Sequence, residues 1–234
     1  MVTSPSENYV FAADLGGTHL RAAIVDEEGE IHVRVKYETP TTTSEAIVQA
    51  LVAAARECSL SSGHSYGVVS VAVPAAVNVA AGLVVKAPNL PCLDGFQLTS
   101  TLTREFNLPA ILENDANAAA VGEMWRGAAR GRRTIVCLTL GTGVGGGIVL
   151  DGKLWHGVND SAAEIGHMGI DQFGGVRCSC GSQGCLEVYA SATAIVRMAR
   201  EARSRFPKST LQNVDELTSE DVYRAGTQGD DLAR

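Results

Sequence analysis

The chain carries no block of lysine or arginine anywhere in its 234 residues, and its formal net charge is 19 − 26 = −7. Nucleic acid and anionic membrane surfaces are poor partners for such a chain. It also lacks an uninterrupted apolar run long enough to span a bilayer. The most apolar stretch, Ile135 to Leu150, is broken by Gly141, Gly143, Gly145, Gly146 and Gly147. The opening MVTSPSEN has neither the basic nor the apolar region of a secretion leader. Cys58, Cys92 and Cys137 are scattered as core residues of a reducing compartment are, which makes the cytoplasm the default location. Two phosphate-binding motifs are mimicked only. Gly141, Gly143 and Gly146 have dinucleotide-fingerprint spacing, but Ile148 to Gly152 then reads as a strand and turn where a helix is required. Gly147, Gly152 and Lys153 imitate a P-loop, yet Leu154 stands where a magnesium-binding hydroxyl belongs.

What the chain does have is a dense cluster of soft ligands. His167 is followed after ten residues by Cys178, then Cys180 and Cys185, in the run CSCGSQGCLE. Three thiolates and one imidazole are the number and type of ligands of a closed structural zinc site. Gly181 and Gly184 permit the tight reversals that converge the sulfurs. A disulfide or unrelated core cysteines are the alternatives, and Cys178 and Cys180 are too close in sequence to bridge well. Glu164 and Glu187 flank the cluster, either as surface carboxylates or as groups that a metal knot positions.

Apolar periodicity gives a strand–turn–strand–turn–strand opening: Tyr9–Ala13, then Asp14 to Thr18, Leu20–Val25, a turn at Gly29, and alternation over Ile31 to Tyr37. Ile47, Leu51, Ala55 and Cys58 mark a helix behind a candidate N-cap, Ser44. A buried strand follows at Val68–Val73. A helix striped by Leu98, Leu102 and Phe106 is expected to start with Asp94 and Gln97. Another strand, Ala110–Leu112, leads into an alanine-rich helix ending near Trp125. A hinge is expected at Gly127 to Gly131, dividing the chain into α/β lobes at 1–126 and 127–234. The second lobe repeats the architecture: strand Thr134–Leu140, turn Gly141–Gly147, strand Ile148–Leu150. A long helix carries Ile195, Met198, Ala199 and Ala202, and a short one spans Asp221 to Gly226. Gly229 to Arg234 reads as a helix just begun.

Glycine-rich turns after strands present converging N–H groups that suit phosphate, although an ordinary hairpin accounts for either turn alone. Together, the turns Gly16-Gly17-Thr18 and Gly141-Thr142-Gly143, the run Glu113-Asn114-Asp115-Ala116-Asn117-Ala118, Glu164-Ile165-Gly166-His167 and CSCGSQGCLE resemble the ROK family of sugar kinases, nearest its bacterial glucokinases. The resemblance spans Asp14 to about Ala194. It implies a ribonuclease-H-like α/β fold of the actin, hexokinase and Hsp70 type, with two lobes, ATP and sugar in the cleft between them, and a zinc loop. It also implies roles. Asp115 is similar to the catalytic base, though it also suits a helix N-cap. Asn89, Asn114, Asp115 itself, Glu164, His167 and Glu187 match the sugar-binding set. Gly16, Gly17, Thr18, Gly141, Thr142 and Gly143 match the phosphate loops, and Asp14 would orient hydrated Mg2+. His167, Cys178, Cys180 and Cys185 would hold Zn2+. The implied activity is ATP-dependent phosphorylation of a hexose, foremost glucose, with N-acetylmannosamine or fructose kinases, or a sugar-sensing regulator, as alternatives. The regulators carry a DNA-binding module before the first strand, which here starts near Tyr9. A homodimer is implied as well. Family members run further at the C-terminus, so this chain is expected to be incomplete there. Where the family usually has Pro-Gly, Pro74-Ala75-Ala76 stands here, and the added methyl is expected to tighten the sugar pocket.

Overall fold

A computed structural model describes residues 8–234. Residues 1–7, on which the reading of the opening stretch largely rests, lie outside them. The chain divides into two compact units. The first runs to Ile135 and includes Ile148–Ala162; the second comprises Val136–Gly147 and Ala163–Arg234.

In the first unit, β1 (Tyr9–Leu15), β2 (His19–Asp26) and β3 (Ile31–Glu38) form an antiparallel meander. α1 (Ser44–Ser62) crosses over to β4 (Val68–Val73), which pairs parallel to β1 with Phe11 opposite Val69. A small hairpin, β5 (Ala76–Asn78) and β6 (Leu83–Lys86), and α2 (Leu98–Phe106) precede β7 (Ala110–Asn114), which is parallel to β4. α3 (Asp115–Trp125) starts where β7 stops. The sheet order is β3-β2-β1-β4-β7. Period-2 burial explains the strands: Phe11, Ala13 and Leu15 on β1, and Val69, Val71 and Val73 on β4, all face one core. Ile47, Leu51, Ala54, Ala55 and Cys58 recur at helical spacing and lay α1 onto it.

Two helix starts differ from expectation. Thr43, not Ser44, caps α1, its hydroxyl accepting from the Ala46 N–H at 3.1 Å while Ser44 is already helical and buried. Asp94 does not open α2, whose cap residue Gln97 makes no side-chain bond. The Asp94 carboxylate instead accepts from the Ala87 N–H at 2.8 Å and pairs with Lys86, anchoring the turn Ala87-Pro88-Asn89.

β8 (Ile135–Leu140), β9 (Val144–Leu150) and β10 (Lys153–Leu154) form a sheet in the order β10-β9-β8. The chain leaves the first unit within β8, returns within β9 and leaves again after Ala162. β9 begins inside the glycine run that was expected to be all turn, so the turn shrinks to Gly141–Gly143, closed by a Gly141 N–H to Gly143 carbonyl bond of 3.0 Å. Asp151 and Gly152 have φ of +52° and +81°, the two left-handed residues of a tight hairpin. Strand and turn therefore occupy the place where either nucleotide motif needs a helix.

The second unit continues with α4 (Glu187–Ala190), α5 (Ala192–Ala202) and α6 (Ser219–Thr227). Ala199, Leu211, Leu217, Val222 and Ala225 form a small core. Gly229 to Arg234 holds no helix; it is a turn tied down by Asp230, which accepts from the Ser209 hydroxyl, the Thr210 N–H and hydroxyl, and the Leu232 N–H. Burial raises the Asp230 pKa, but these donors outweigh it and hold the carboxyl at about 2. Among the described residues no helix is long and apolar enough to cross a membrane.

Candidate functional site

Seven of the candidate residues lie in the first unit. Asp14, near the end of β1, stands opposite Arg21 on β2 and accepts from its guanidinium at 3.1 Å, both side chains being half exposed. The turn Gly16-Gly17-Thr18 is held at both ends: Gly16 N–H donates to the His19 carbonyl at 2.9 Å. Thr39 grips the loop from behind through its hydroxyl to Gly16 O (2.7 Å) and its N–H to Thr18 O (2.9 Å). A methyl at Gly17 would meet the Asn89 Cβ at 3.0 Å, so glycine here lets the exposed Asn89 turn approach the candidate phosphate turn.

At the β7–α3 junction Asn114, not Asp115, is the N-cap. Its Oδ1 accepts from the Asn117 N–H at 3.0 Å and its Nδ2 donates to the Ala75 carbonyl at 3.2 Å. Asp115 is half-buried in the first turn of α3, its Oδ1 accepting from the Ala116 N–H at 2.8 Å. An anionic carboxylate is favoured there by the positive end of the helix. The methyl of Ala75 is buried with the main core and Ala76 is exposed. The methyl that distinguishes Ala75 from glycine is thus packed in the core, and the contact with Asn114 is made by the Ala75 backbone carbonyl.

The second unit holds the rest. Gly141-Thr142-Gly143 sits against the start of α5, where the Ala192 N–H donates to Gly141 O (2.9 Å) and the Thr193 hydroxyl to Thr142 O (2.9 Å). Ser191 caps α5, accepting from the Ala194 N–H at 3.1 Å. Glu187, first residue of α4, links two features. One carboxylate oxygen accepts from the Val144 N–H at 3.0 Å, and the other lies 4.0 Å from the Cys178 sulfur. A methyl at Gly143 would collide with the Glu187 carboxylate, and one at Gly166 would collide with the Val144 carbonyl. Glu164 precedes a single 3-10 turn, Ile165–His167, and its carboxylate lies 3.9 Å from His167 Nε2. Ala163, just before it, has a φ of +66°, a conformation that costs a non-glycine residue energy and that concentrates at functional sites.

The ligand atoms of His167, Cys178, Cys180 and Cys185 all lie within 4.8 Å of one another. Cys180 and Cys185 sulfurs are 3.7 Å apart, far from the ~2.05 Å of a disulfide. The Cys178 sulfur is 3.6 Å from His167 Nδ1. A tetrahedral ion with bonds of about 2.3 Å to sulfur and about 2.0–2.1 Å to nitrogen has edges of about 3.8 Å between sulfurs and about 3.6 Å between sulfur and nitrogen. The donor set and both spacings fit zinc. Gly181 and Gly184, at φ of +93° and +72°, make the reversals. Burial pushes the Cys185 thiol up to about 11, while a Ser182 backbone N–H pulls Cys180 below its ordinary value.

Four residues escaped the sequence reading. Tyr189 clamps the cysteine loop, its hydroxyl accepting from the Val176 N–H (3.0 Å) and donating to Asp171 (3.1 Å). Thr193 braces the second glycine turn. Glu113 and His156 meet at 2.8 Å beside the Asn114 cap. Only Glu113 stands in a motif, the run that also holds Asn114 and Asp115, and no role was read for it there.

An antiparallel β1–β3 meander extended by parallel β4 and β7, with a glycine turn between its first two strands and a second strand–glycine turn–strand further on, defines an α/β protein of the ribonuclease-H-like, actin and hexokinase type. The chain belongs to the ROK family, whose model matches residues 10–234. It is 39% identical over 238 residues to a glucokinase of Halalkalibacterium halodurans, covering 97% of this chain and 71% of that protein. It is 42% identical over 195 residues to a glucokinase of Streptomyces coelicolor, covering 83% of this chain and 60% of that one. Among solved structures it resembles a ROK family glucokinase from Streptomyces griseus in complex with glucose and AMPPNP, with a TM-score of 0.82, 38% identity, and coverage of 96% of this chain and 73% of that one.

Proposed function

We propose that the protein transfers the γ-phosphoryl of ATP to the 6-hydroxyl of glucose. Asp115 takes the proton as the sugar oxygen attacks phosphorus; the new O–P bond forms while the bond to the β-phosphate oxygen breaks and ADP leaves. Phosphoryl transfer needs positioning and charge neutralisation more than covalent chemistry, so one carboxylate, one metal and two N–H cradles suffice. The cradles are Gly16-Gly17-Thr18 and Gly141-Thr142-Gly143. Asn89, Asn114, Glu164, His167 and Glu187 bind sugar hydroxyls, the carboxylates accepting strong, directional bonds. Mg2+ accompanying ATP would neutralise phosphate charge, and Asp14 would orient its water shell. His167, Cys178, Cys180 and Cys185 would hold a structural Zn2+, which would brace His167 and, through the cysteine loop, Glu187. The active form is a cytoplasmic homodimer.

The observation that carries this reading is the Asp115 carboxylate, half-buried at a helix start whose cap role Asn114 has taken over. A coupled assay of the complete gene product with ATP and a hexose panel tests it. The expected result is fastest turnover with glucose; binding of a hexose with no phosphorylation of any would reject it.

A further inference from the structure

Glu113 has a use that the kinase reading leaves unassigned. It is the penultimate residue of β7, and its carboxylate turns back on the β7–α3 junction. Oε1 accepts from the Asn114 N–H at 2.9 Å and from the Asn117 Nδ2 at 3.1 Å. Oε2 lies 2.8 Å from His156 Nε2, and because a carboxylate oxygen accepts, that nitrogen carries the proton. The pair is largely shielded, with side-chain exposures of 17% and 27%. Asn117 is 4% exposed, and its Oδ1 has no hydrogen-bond partner among the described residues. Turning the amide over would aim that oxygen at the Glu113 carboxylate, so the observed orientation is the better of two imperfect ones. A buried acceptor left unpaired loses the hydrogen bonds it would make to water. The junction is thus held in one geometry against a cost, as happens where geometry serves function.

His156 is itself fixed. Its carbonyl accepts from the Ala162 N–H at 3.0 Å, closing a tight loop. The next residue, Gly157, has a φ of +74°, and a methyl there would meet Ala162 at 3.1 Å. An anchored imidazole therefore grips Glu113, Glu113 grips the backbone of Asn114 and the side chain of Asn117, and Asn114 and Asn117 shape the first turn that carries Asp115. We infer that Glu113 and His156 are positioning residues that set the aim of the Asp115 carboxylate during phosphoryl transfer. The inference rests on Asp115 being the base. Misplacing a catalytic group by about 1 Å can cost on the order of 100-fold.

The test is a double-mutant cycle in the complete protein, read as kcat with glucose and ATP, with melting temperatures alongside. H156A is expected to lower kcat by about tenfold or more in the parent. In a D115N background it is expected to lower it by less than about twofold, because nothing remains to aim. H156Q, whose amide can still donate to Glu113, is expected to stay within about threefold of the parent; this separates loss of the hydrogen bond from a folding defect. No loss in H156A, or an equal loss in both backgrounds, would overturn the inference. A D115N protein as active as the parent would instead remove the base assignment on which it rests.

Discussion

Two glycines of the second unit look equivalent in sequence and are not. A methyl on Gly143 would strike the far end of a flexible glutamate, Glu187, whereas one on Gly166 would strike the Val144 backbone carbonyl, which cannot swing away. G143A is therefore expected to leave the melting temperature nearly unchanged and to raise KM for glucose. One charge-assisted hydrogen bond of Glu187 is at stake, about 1.5–3 kcal/mol or roughly 10–100-fold. G166A is expected to destabilise by about 1–3 kcal/mol, as overpacking does. Calorimetry and steady-state kinetics on the two variants check this; equal melting losses in both would contradict it. Glycines could be read from the sequence as turn formers, but which atom each one makes room for could not, since Glu187 is 44 residues from Gly143. The same limit explains the shifted caps. Thr43 and Ser44 are both good N-caps in isolation, and only the burial of Ser44 against the core decides between them.

At the scale of elements, the cysteine loop is expected to depend on a bound metal more than on its own packing. It contains hardly any regular structure, only isolated bridges at Gly169–Cys185 and Arg177–Gln183, and Tyr189 is its one side-chain clamp named above. A structural zinc contributes on the order of 10 kcal/mol in small sites. Chelation is expected to lower the melting temperature markedly and to weaken glucose binding with it, because His167 and Glu187 lose their brace. Unchanged melting after metal loss verified by elemental analysis would contradict the role. The four candidate ligands stood out because residues of rare type fell within nineteen positions, and the structure brings their ligand atoms within 4.8 Å of one another. The strands were readable too, wherever burial alternates with period two. β5 and β6 were not: they are short and amid small residues, with no periodicity to reveal them. β9 began earlier than expected because glycine usually signals a turn, whereas Gly145, Gly146 and Gly147 here sit within a strand, and Gly146 admits the Ala163 carbonyl.

For the molecule as a whole, the two glycine turns were anticipated from a repeated strand–turn–strand pattern, whereas the sheet order β3-β2-β1-β4-β7 was not, because pairing depends on contacts distant in sequence. The excursion of Ile148–Ala162 into the first unit was not legible, because which unit a hairpin joins depends on long-range packing rather than on its own residues. That excursion brings His156 to Glu113 and so to the Asp115 junction. The central claim is that Asp115 is the base for ATP-dependent phosphorylation of glucose, and D115N in the complete, zinc-loaded protein tests it most directly. Titration calorimetry and a coupled assay on one sample are expected to show glucose bound within about threefold of the parent affinity, and kcat reduced by about 10²–10⁴-fold, the usual loss for a general base. A D115N protein that phosphorylates glucose at the parental rate would contradict the account.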